Sequence, residues 1–503
     1  MQHSTDRILT THAGSIPRGE PLGSMLIDQE LGKPVDRAKI AELTDARVAH
    51  VLQKEADVGI DSANDGEQGR VGFQTYIPQR MDGFGGVSKR PYGKEFIEFP
   101  QFTQRMLARI PKTGKVFDAP EAIGELKYRD TAAIDAEIAR YKRLSAPMAS
   151  RFREFFMNAP SPGIVATTML NAHYKSHKDY LDAIARELHV EYKKVVEAGF
   201  VLQIDAPDLA MERVLLYQDM SDAEFAKLVE QHVAALNRAL QGLPPDRVRL
   251  HVCWGNWEGP HKYDVAMEVI LPALYQANVG ALGLEFANPR RQHETAALKK
   301  HKLPAHMLMI AGVIDSKSNF VEHPEVVAQR IEAVVAAVGD RERVMAGVDC
   351  GFGTFVGWEW VTEDVVWDKL KTLRAGADIA SARLWGKQRA GSRSVISDIG
   401  AHFAAEYPIG PARVEQDHGQ QDQCADQQEG LGARRRRGLV QGEMSRHDHR
   451  PQADSDAQIG HDEQAQGGKE RPIFRVVVER APRVPNEAKG DERNRRQKRD
   501  VRP

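Results

Sequence analysis

Eight short apolar runs, each followed by a stretch with helical spacing, recur between residues 7 and 349 and constrain the fold more than any other feature of this chain. They are Arg7–Thr11, Gly59–Ala63, Gly163–Thr168, Phe200–Asp205, Arg247–Cys253, Ala281–Phe286, Met307–Ile314 and Arg343–Asp349. Most are rich in Val, Ile and Leu without strict alternation, the pattern of strands buried on both faces of a parallel sheet. Between them, Ala41–Ala56 sets Leu43, Val48, Val51 and Leu52 near helical spacing, and Asp222–Leu240 does the same with Phe225, Leu228, Val229, Val233 and Leu236. Eight strand–helix alternations predict an α/β fold, a (β/α)8 TIM barrel over residues 1–400, in preference to an open doubly wound sheet.

Two segments break the alternation. Residues 70–160 form a long insertion after strand 2, expected over the barrel mouth, with a hairpin region at Tyr92–Phe117 and helices around Thr131–Met157. Residues 410–503 turn to Gln, Asp, Arg, Gly and His with almost no periodic apolar pattern. A segment this poor in apolar residues cannot offset its ordering entropy, so a disordered tail is expected there. Its Arg434–Arg437 cluster reads as an anion patch or, preferably, as solvated tail. The formal charge of −2 gives no reason to expect a nucleic-acid or membrane partner. No apolar stretch approaches the ~20 residues a membrane span requires. Three cysteines, Cys253, Cys350 and Cys424, do not suggest a disulfide framework, and a reducing cytoplasmic setting is expected.

In this architecture the active site forms where the strands end. The runs end in Thr11-His12-Ala13-Gly14-Ser15, Asn64-Asp65-Gly66-Glu67, Thr167-Thr168, Asp205-Ala206-Pro207-Asp208, His251-Val252-Cys253, Glu285, Asp315 and Asp349-Cys350-Gly351. Residues two apart in a strand face one way, so His251 and Cys253 can share one metal ion. Barrel curvature brings Glu285 and Cys350 towards the same space. One nitrogen, one oxygen and two sulfur donors suit tetrahedral Zn²⁺. The plainer readings are a buried structural His–Cys pair and an ion pair of Glu285 with Arg290 or Arg291. With four protein ligands, catalysis needs one to exchange, and the carboxylate of Glu285 is the least soft. A substrate thiol taking its place would bind as thiolate, and two cysteinates would leave the metal too electron-rich to polarise water well. Thiol alkylation is therefore preferred over zinc hydrolysis, the rival in which Glu67 or Asp65 activates water.

The ordered set Gly14-Ser15-Ile16-Pro17, Asp65-Gly66-Glu67, Gln203-Ile204-Asp205-Ala206-Pro207, His251-Val252-Cys253, Glu285 and Asp349-Cys350-Gly351 resembles the catalytic C-terminal barrel of the cobalamin-independent methionine synthase family. The resemblance implies zinc at His251, Cys253, Glu285 and Cys350. It also implies homocysteine held by Ser15, Glu67 and Asp205, and a 5-methyltetrahydrofolate-type methyl donor. Two carboxylates in a barrel mouth can anchor an ammonium by charge-assisted hydrogen bonds, a reading preferred to ion pairs of Glu67 and Asp205 with Arg70 or Arg213, while Ser15 can equally act as a cap. Three departures stand out. The family's additional N-terminal barrel is not found here. Its Trp after the third strand is replaced in Met169-Leu170-Asn171-Ala172-His173-Tyr174, and its Asp-x-His after the seventh strand reads Asp315-Ser316-Lys317. Asp315, His173 and His12 remain as candidates for general acid. A single-barrel relative, epoxyalkane:coenzyme M transferase, opens an epoxide, so alkylation of a thiol by a small electrophile is the alternative expectation.

Overall fold

The computed structural model describes residues 1–109 and 118–386. The tail expected at 410–503, including Arg434–Arg437 and Cys424, lies outside the described residues. Nine strands are present among the described residues: β1 (Ser62–Ala63), β2 (Met81–Gly85), β3 (Glu121–Tyr128), β4 (Glu154–Pro160), β5 (Val201–Asp205), β6 (Val248–His251), β7 (Ala281–Glu285), β8 (Leu308–Ile314) and β9 (Val344–Val348). Seven of them pair in parallel in the order β1-β4-β5-β6-β7-β8-β9. The N-terminal segment closes the ring, with Thr10 bridging Ala346 and Thr11 bridging Ser62, both parallel. The Thr11 N–H donates to Ala346 O at 2.9 Å and the Ser62 N–H to Thr10 O at 3.1 Å. The result is a (β/α)8 barrel whose first strand is reduced to two bridging residues.

Residue chemistry accounts for the helices that surround it. Arg37–Val58 begins where the Asp36 side chain accepts from Lys39 N and ends at Gly59, whose φ of 81° favours glycine. Asp222–Ala239 opens on a capping box of Ser221 and Glu224. Both helices overlap the stretches expected from periodicity. Burial of Val48, Val51, Leu52, Phe225, Leu228, Val229, Val233 and Leu236 in one core cluster gives the helices their tertiary support.

The third strand and the hairpin sit elsewhere than expected. Gly163–Thr168 belongs to the helix Pro162–Thr168, capped by Ser161, whose hydroxyl accepts from Ile164 N at 3.0 Å. The third barrel strand is β4, eight residues nearer the N-terminus at its final turn, and Ser161-Pro162 is the helix-start signal that separates the two. The only paired hairpin in the inserted part, among the described residues, is β2 with β3. Tyr92–Phe117 instead holds the helices Lys94–Glu98 and Pro100–Arg109, with residues 110–117 outside the described set. Phe96 and Phe102 there stack at 6.1 Å between ring centroids, and Phe96 lies 5.9 Å from Trp257, an aromatic contact that favours burying this segment on the barrel loops.

A buried polar knot ties the inserted segment to the barrel. Glu191, on the helix His177–Glu197, accepts from Tyr76 Oη at 2.6 Å, Tyr128 Oη at 2.8 Å and Arg80 Nη1 at 2.9 Å. Removing Glu191 strands two buried tyrosine hydroxyls and leaves Arg80 with Glu137 alone as its carboxylate partner. Glu191→Ala is therefore expected to lower stability by about 3–5 kcal/mol, read as a drop in urea midpoint; an unchanged midpoint would show the knot to be dispensable.

Candidate active site

The C-terminal ends of the strands open into a cavity of about 550 Å³ whose lining includes Ser15, Glu67, Asp205, His251, Cys253 and Cys350. Each is delivered by a strand end. β6 stops at His251 and Cys253 follows two residues on, while Cys350 lies two residues past β9. The two sulfurs are 3.3 Å apart. Among the described residues, His251, Cys253 and Cys350 form the group of His, Cys, Asp and Glu side chains able to share one ion, with ligand atoms within 4.8 Å of one another. His251 Nε2 is buried and has no hydrogen-bond partner among the described residues. A buried, unsatisfied imidazole nitrogen is costly unless something else takes its lone pair.

The thiols are electrostatically unlike each other. The hydrogen bond from Cys253, together with the His251 imidazole, pulls the Cys350 thiol down to about 5 against the effect of burial. The same hydrogen bond, burial and the Glu285 carboxylate push the Cys253 thiol up. Burial opposes charge on His251, but the Cys350 sulfur and the carboxylates of Asp205 and Glu285 outweigh it and push the imidazole up. Cys350 is thus the more acidic thiol of a shared pair.

Across the cavity floor stand two carboxylates. Burial pushes Glu67 up to about 8, opposed by Arg18 and reinforced by Asp205. Burial also raises Asp205 to about 6, held back by His251 and by hydrogen bonds from Asn158 Nδ2 at 2.8 Å and Gln203 Nε2 at 2.7 Å. Glu67 has φ 52°, a left-handed conformation that non-glycine residues rarely adopt. Among the described residues its Oε2 is buried without a hydrogen-bond partner, 3.8 Å from the equally unsatisfied Nη2 of Arg18. The arginines first suspected as partners are engaged elsewhere, Arg70 with Glu137 at 2.8 Å and Arg213 facing Asp222 at 3.5 Å. Ser15 does not cap a helix; its carbonyl accepts from Phe352 and Gly353 and fixes the loop that follows Cys350.

Other expected residues are placed apart from this cavity. Glu285 is outside the ligand group: its Oε1 accepts from Trp254 N at 3.2 Å, and both oxygens lie 3.5 Å from Lys317 Nζ. Arg291, once a candidate partner, pairs with Asp264 and Glu294 instead. Asp315 is buried, but its carboxylate accepts from Lys317 N at 3.2 Å and from the Ser318 hydroxyl. His173 is exposed, its ring edge-on to Tyr174 at 5.0 Å. Neither lines the cavity. His12 is buried with Nε2 at 2.5 Å from Glu55, while Nδ1 accepts from Gly14 N, so its proton sits on the Glu55 side.

Three buried polar positions beside the site were not read from the sequence. Asn158 donates to both Ala13 O and Asp205 and accepts from Asn64, so it cross-links three strand ends. Arg18 and Lys317 are both almost fully buried cations. Only the Ser161-Pro162 helix start could have revealed Asn158, by moving the third strand back onto it.

A (β/α)8 barrel carrying a thiol–thiol–imidazole cluster and paired buried carboxylates at its mouth defines the class of protein. Residues 156–369 match the family model described as Cobalamin-independent synthase, Catalytic domain. Over those residues the chain is similar to that family. It is 25% identical over 386 residues to 2-hydroxypropyl-CoM lyase of Xanthobacter autotrophicus, covering 71% of this chain and 89% of that protein. It is 26% identical over 378 residues to methionine synthase of Thermococcus kodakarensis, covering 75% and 94%. Its fold matches the B12-independent methionine synthase of Shewanella sp. W3-18-1 at a TM-score of 0.57 and 22% identity, over 76% of this chain and 99% of that one.

Proposed function

We propose that this protein is a zinc-dependent thiol alkyltransferase that moves a methyl group from a 5-methyltetrahydrofolate-type donor to homocysteine, forming methionine, in the cytoplasm. The carrying observation is the cavity itself, with two sulfurs 3.3 Å apart and an unpartnered imidazole on one side and two buried carboxylates on the other. The donor set fits zinc: two sulfurs and one nitrogen are soft to intermediate ligands, and His251, whose Nε2 is buried without a hydrogen-bond partner among the described residues, offers a ligand atom within 4.8 Å of both sulfurs. His251, Cys253 and Cys350 would hold the ion, which when bound would keep a coordinated thiol deprotonated at neutral pH. Glu67 and Asp205 take the substrate's ammonium and orient its thiol. Asn158 and Gln203 hold Asp205 in place for that task. Phe96, Trp257 and Phe355 on the cavity wall keep water from the sulfur nucleophile.

A second reading, alkylation by an epoxide or another small electrophile, draws support from the similarity to 2-hydroxypropyl-CoM lyase. The carboxylate pair weighs against an anionic thiol and for one bearing an ammonium.

Zinc-edge X-ray absorption with and without homocysteine tests the proposal. Two sulfurs rising to three on addition is the expected result. A sulfur count that no thiol changes would overturn it, and a rise only with some other thiol would leave the chemistry but remove homocysteine. Competition by a folate then separates the two electrophiles.

A further inference from the structure

We propose that Asn64 and Asn158 form a one-way hydrogen-bond chain joining the turn of Glu67 to Asp205, and that they are the positioning residues of the substrate's ammonium site. This rests on the reading that Glu67 and Asp205 take that ammonium. Asn64 directly follows β1 and Asn158 lies on the neighbouring β4, and they are 0% and 3% exposed. At the Glu67 turn, Gly66 N–H donates to Asn64 Oδ1 at 2.8 Å. Asn64 Nδ2 donates to Phe156 O at 2.9 Å and to Asn158 Oδ1 at 3.0 Å. Asn158 Nδ2 in turn donates to Ala13 O at 2.9 Å and to Asp205 Oδ2 at 2.8 Å.

The ends of the chain force its direction. A side-chain amide carries N–H donors on its nitrogen and lone pairs on its oxygen. A backbone N–H only donates and a backbone carbonyl only accepts, so Gly66 and Phe156 admit one orientation of the Asn64 amide. That orientation presents N–H to Asn158, whose oxygen then faces Asn64 and whose nitrogen faces Ala13 O and Asp205. Asp205 thus receives an N–H from Asn158 on one oxygen and from Gln203 on the other, at 2.7 Å. It is held as an acceptor, the form a charge-assisted bond to an ammonium needs. Reversing either amide would bury acceptor against acceptor. Gly14, with φ 113°, makes the room, because a β-carbon there would overlap the Asn158 amide. The same chain steadies Glu67 at its φ of 52°: Asn64 Oδ1 on Gly66 N–H, and Asp65 Oδ1 on Glu67 N–H at 2.9 Å, hold the turn. Both carboxylates are therefore tied to one pair of strands instead of each to its own loop.

The test reads binding by calorimetry for two ligands, homocysteine and 4-mercaptobutanoate, the same thiol acid without its ammonium. Asn158→Leu keeps the size of the side chain and removes the donor to Asp205. Kd for homocysteine is expected to rise about 10- to 150-fold, the span for a hydrogen bond to a charged group, while Kd for 4-mercaptobutanoate hardly changes. Asn64→Leu leaves Asn158 in place but unties it from the Glu67 turn, and is expected to raise the homocysteine Kd about 2- to 13-fold, the span for a neutral hydrogen bond, again without moving the other ligand. Urea midpoints identify a variant that has lost its fold, and Asn158→Ser, which ends short of Asp205, then takes the place of Asn158→Leu. An unchanged preference for homocysteine in the folded variants would overturn the proposal, as would an equal loss for both ligands or an effect at Asn158 with none at Asn64. Each of these results leaves the ammonium reading standing. A parent that binds both ligands equally would refute that reading, and this inference with it.

Discussion

Cys350→Ala is expected to abolish zinc retention and thiol alkylation together, the largest single effect in this protein. Cys350 carries the more acidic thiol of the pair, drawn down to about 5 by the Cys253 hydrogen bond and by His251. Its removal takes away the donor already ionised at neutral pH. What remains is the His251 imidazole and a Cys253 thiol whose acidity burial opposes, a poor pair of ligands for a divalent ion. Loss of an outer partner costs metal sites about 10–100-fold in affinity or activity, so loss of a ligand is expected to exceed that range. The measurements are zinc content after dialysis against a chelator and the rate of methionine formation from homocysteine. Circular dichroism should be unchanged, since the side chain lies at the barrel mouth and the strands close without it. Retained zinc with retained turnover would remove the central claim, and retained turnover without zinc would point to chemistry carried by another part of the cavity.

The barrel was legible because parallel strands are buried on both faces. Leu308–Ile314 is buried at every position and reads as one apolar run, and the site follows from where such runs stop. His251-Val252-Cys253 and Cys350 were found this way, and the cavity gathers them with Ser15, Glu67 and Asp205. The third strand was misplaced because Gly163–Thr168 is as apolar as Phe155–Ala159, and periodicity cannot separate a short buried helix from a short buried strand. The cation of Lys317 was invisible for a different reason. Flanked by Ser316 and Ser318 it reads as a solvated loop residue, and its burial depends on Glu285, 32 residues away along the chain. His173 lies outside the cavity lining, since the chain after the helix Pro162–Thr168 leads it to the surface. Residue type at a strand end is sequence information; which charges meet across the mouth is set by loop conformation.

Recognition of the ammonium gives the second large effect, and its pH dependence has a definite sign. With Glu67 raised to about 8 by burial and by its neighbour Asp205, the free site holds a proton on Glu67 at neutral pH. An incoming ammonium favours the ionised carboxylate, so substrate binding must expel that proton. Binding is therefore expected to strengthen as pH rises from about 6 towards 8 and to weaken as it falls, with KM for homocysteine moving accordingly. Glu67→Gln keeps the shape and removes the charge. Losing a hydrogen bond to a charged group costs about 1.5–3 kcal/mol, which corresponds to a rise in KM of about 10- to 150-fold. The same variant should flatten the upper part of the pH dependence of KM, towards 8, because Glu67 no longer titrates and Asp205, at about 6, is left. A thiol without an ammonium separates recognition from general damage, since its KM should hardly change. Calorimetry in buffers of different ionisation enthalpy, using an amino acid that lacks the thiol, reads the expelled proton directly and independently of any metal. Equal KM values for homocysteine in parent and variant would show that Glu67 does not face the ammonium, and the paired carboxylates would then need another purpose.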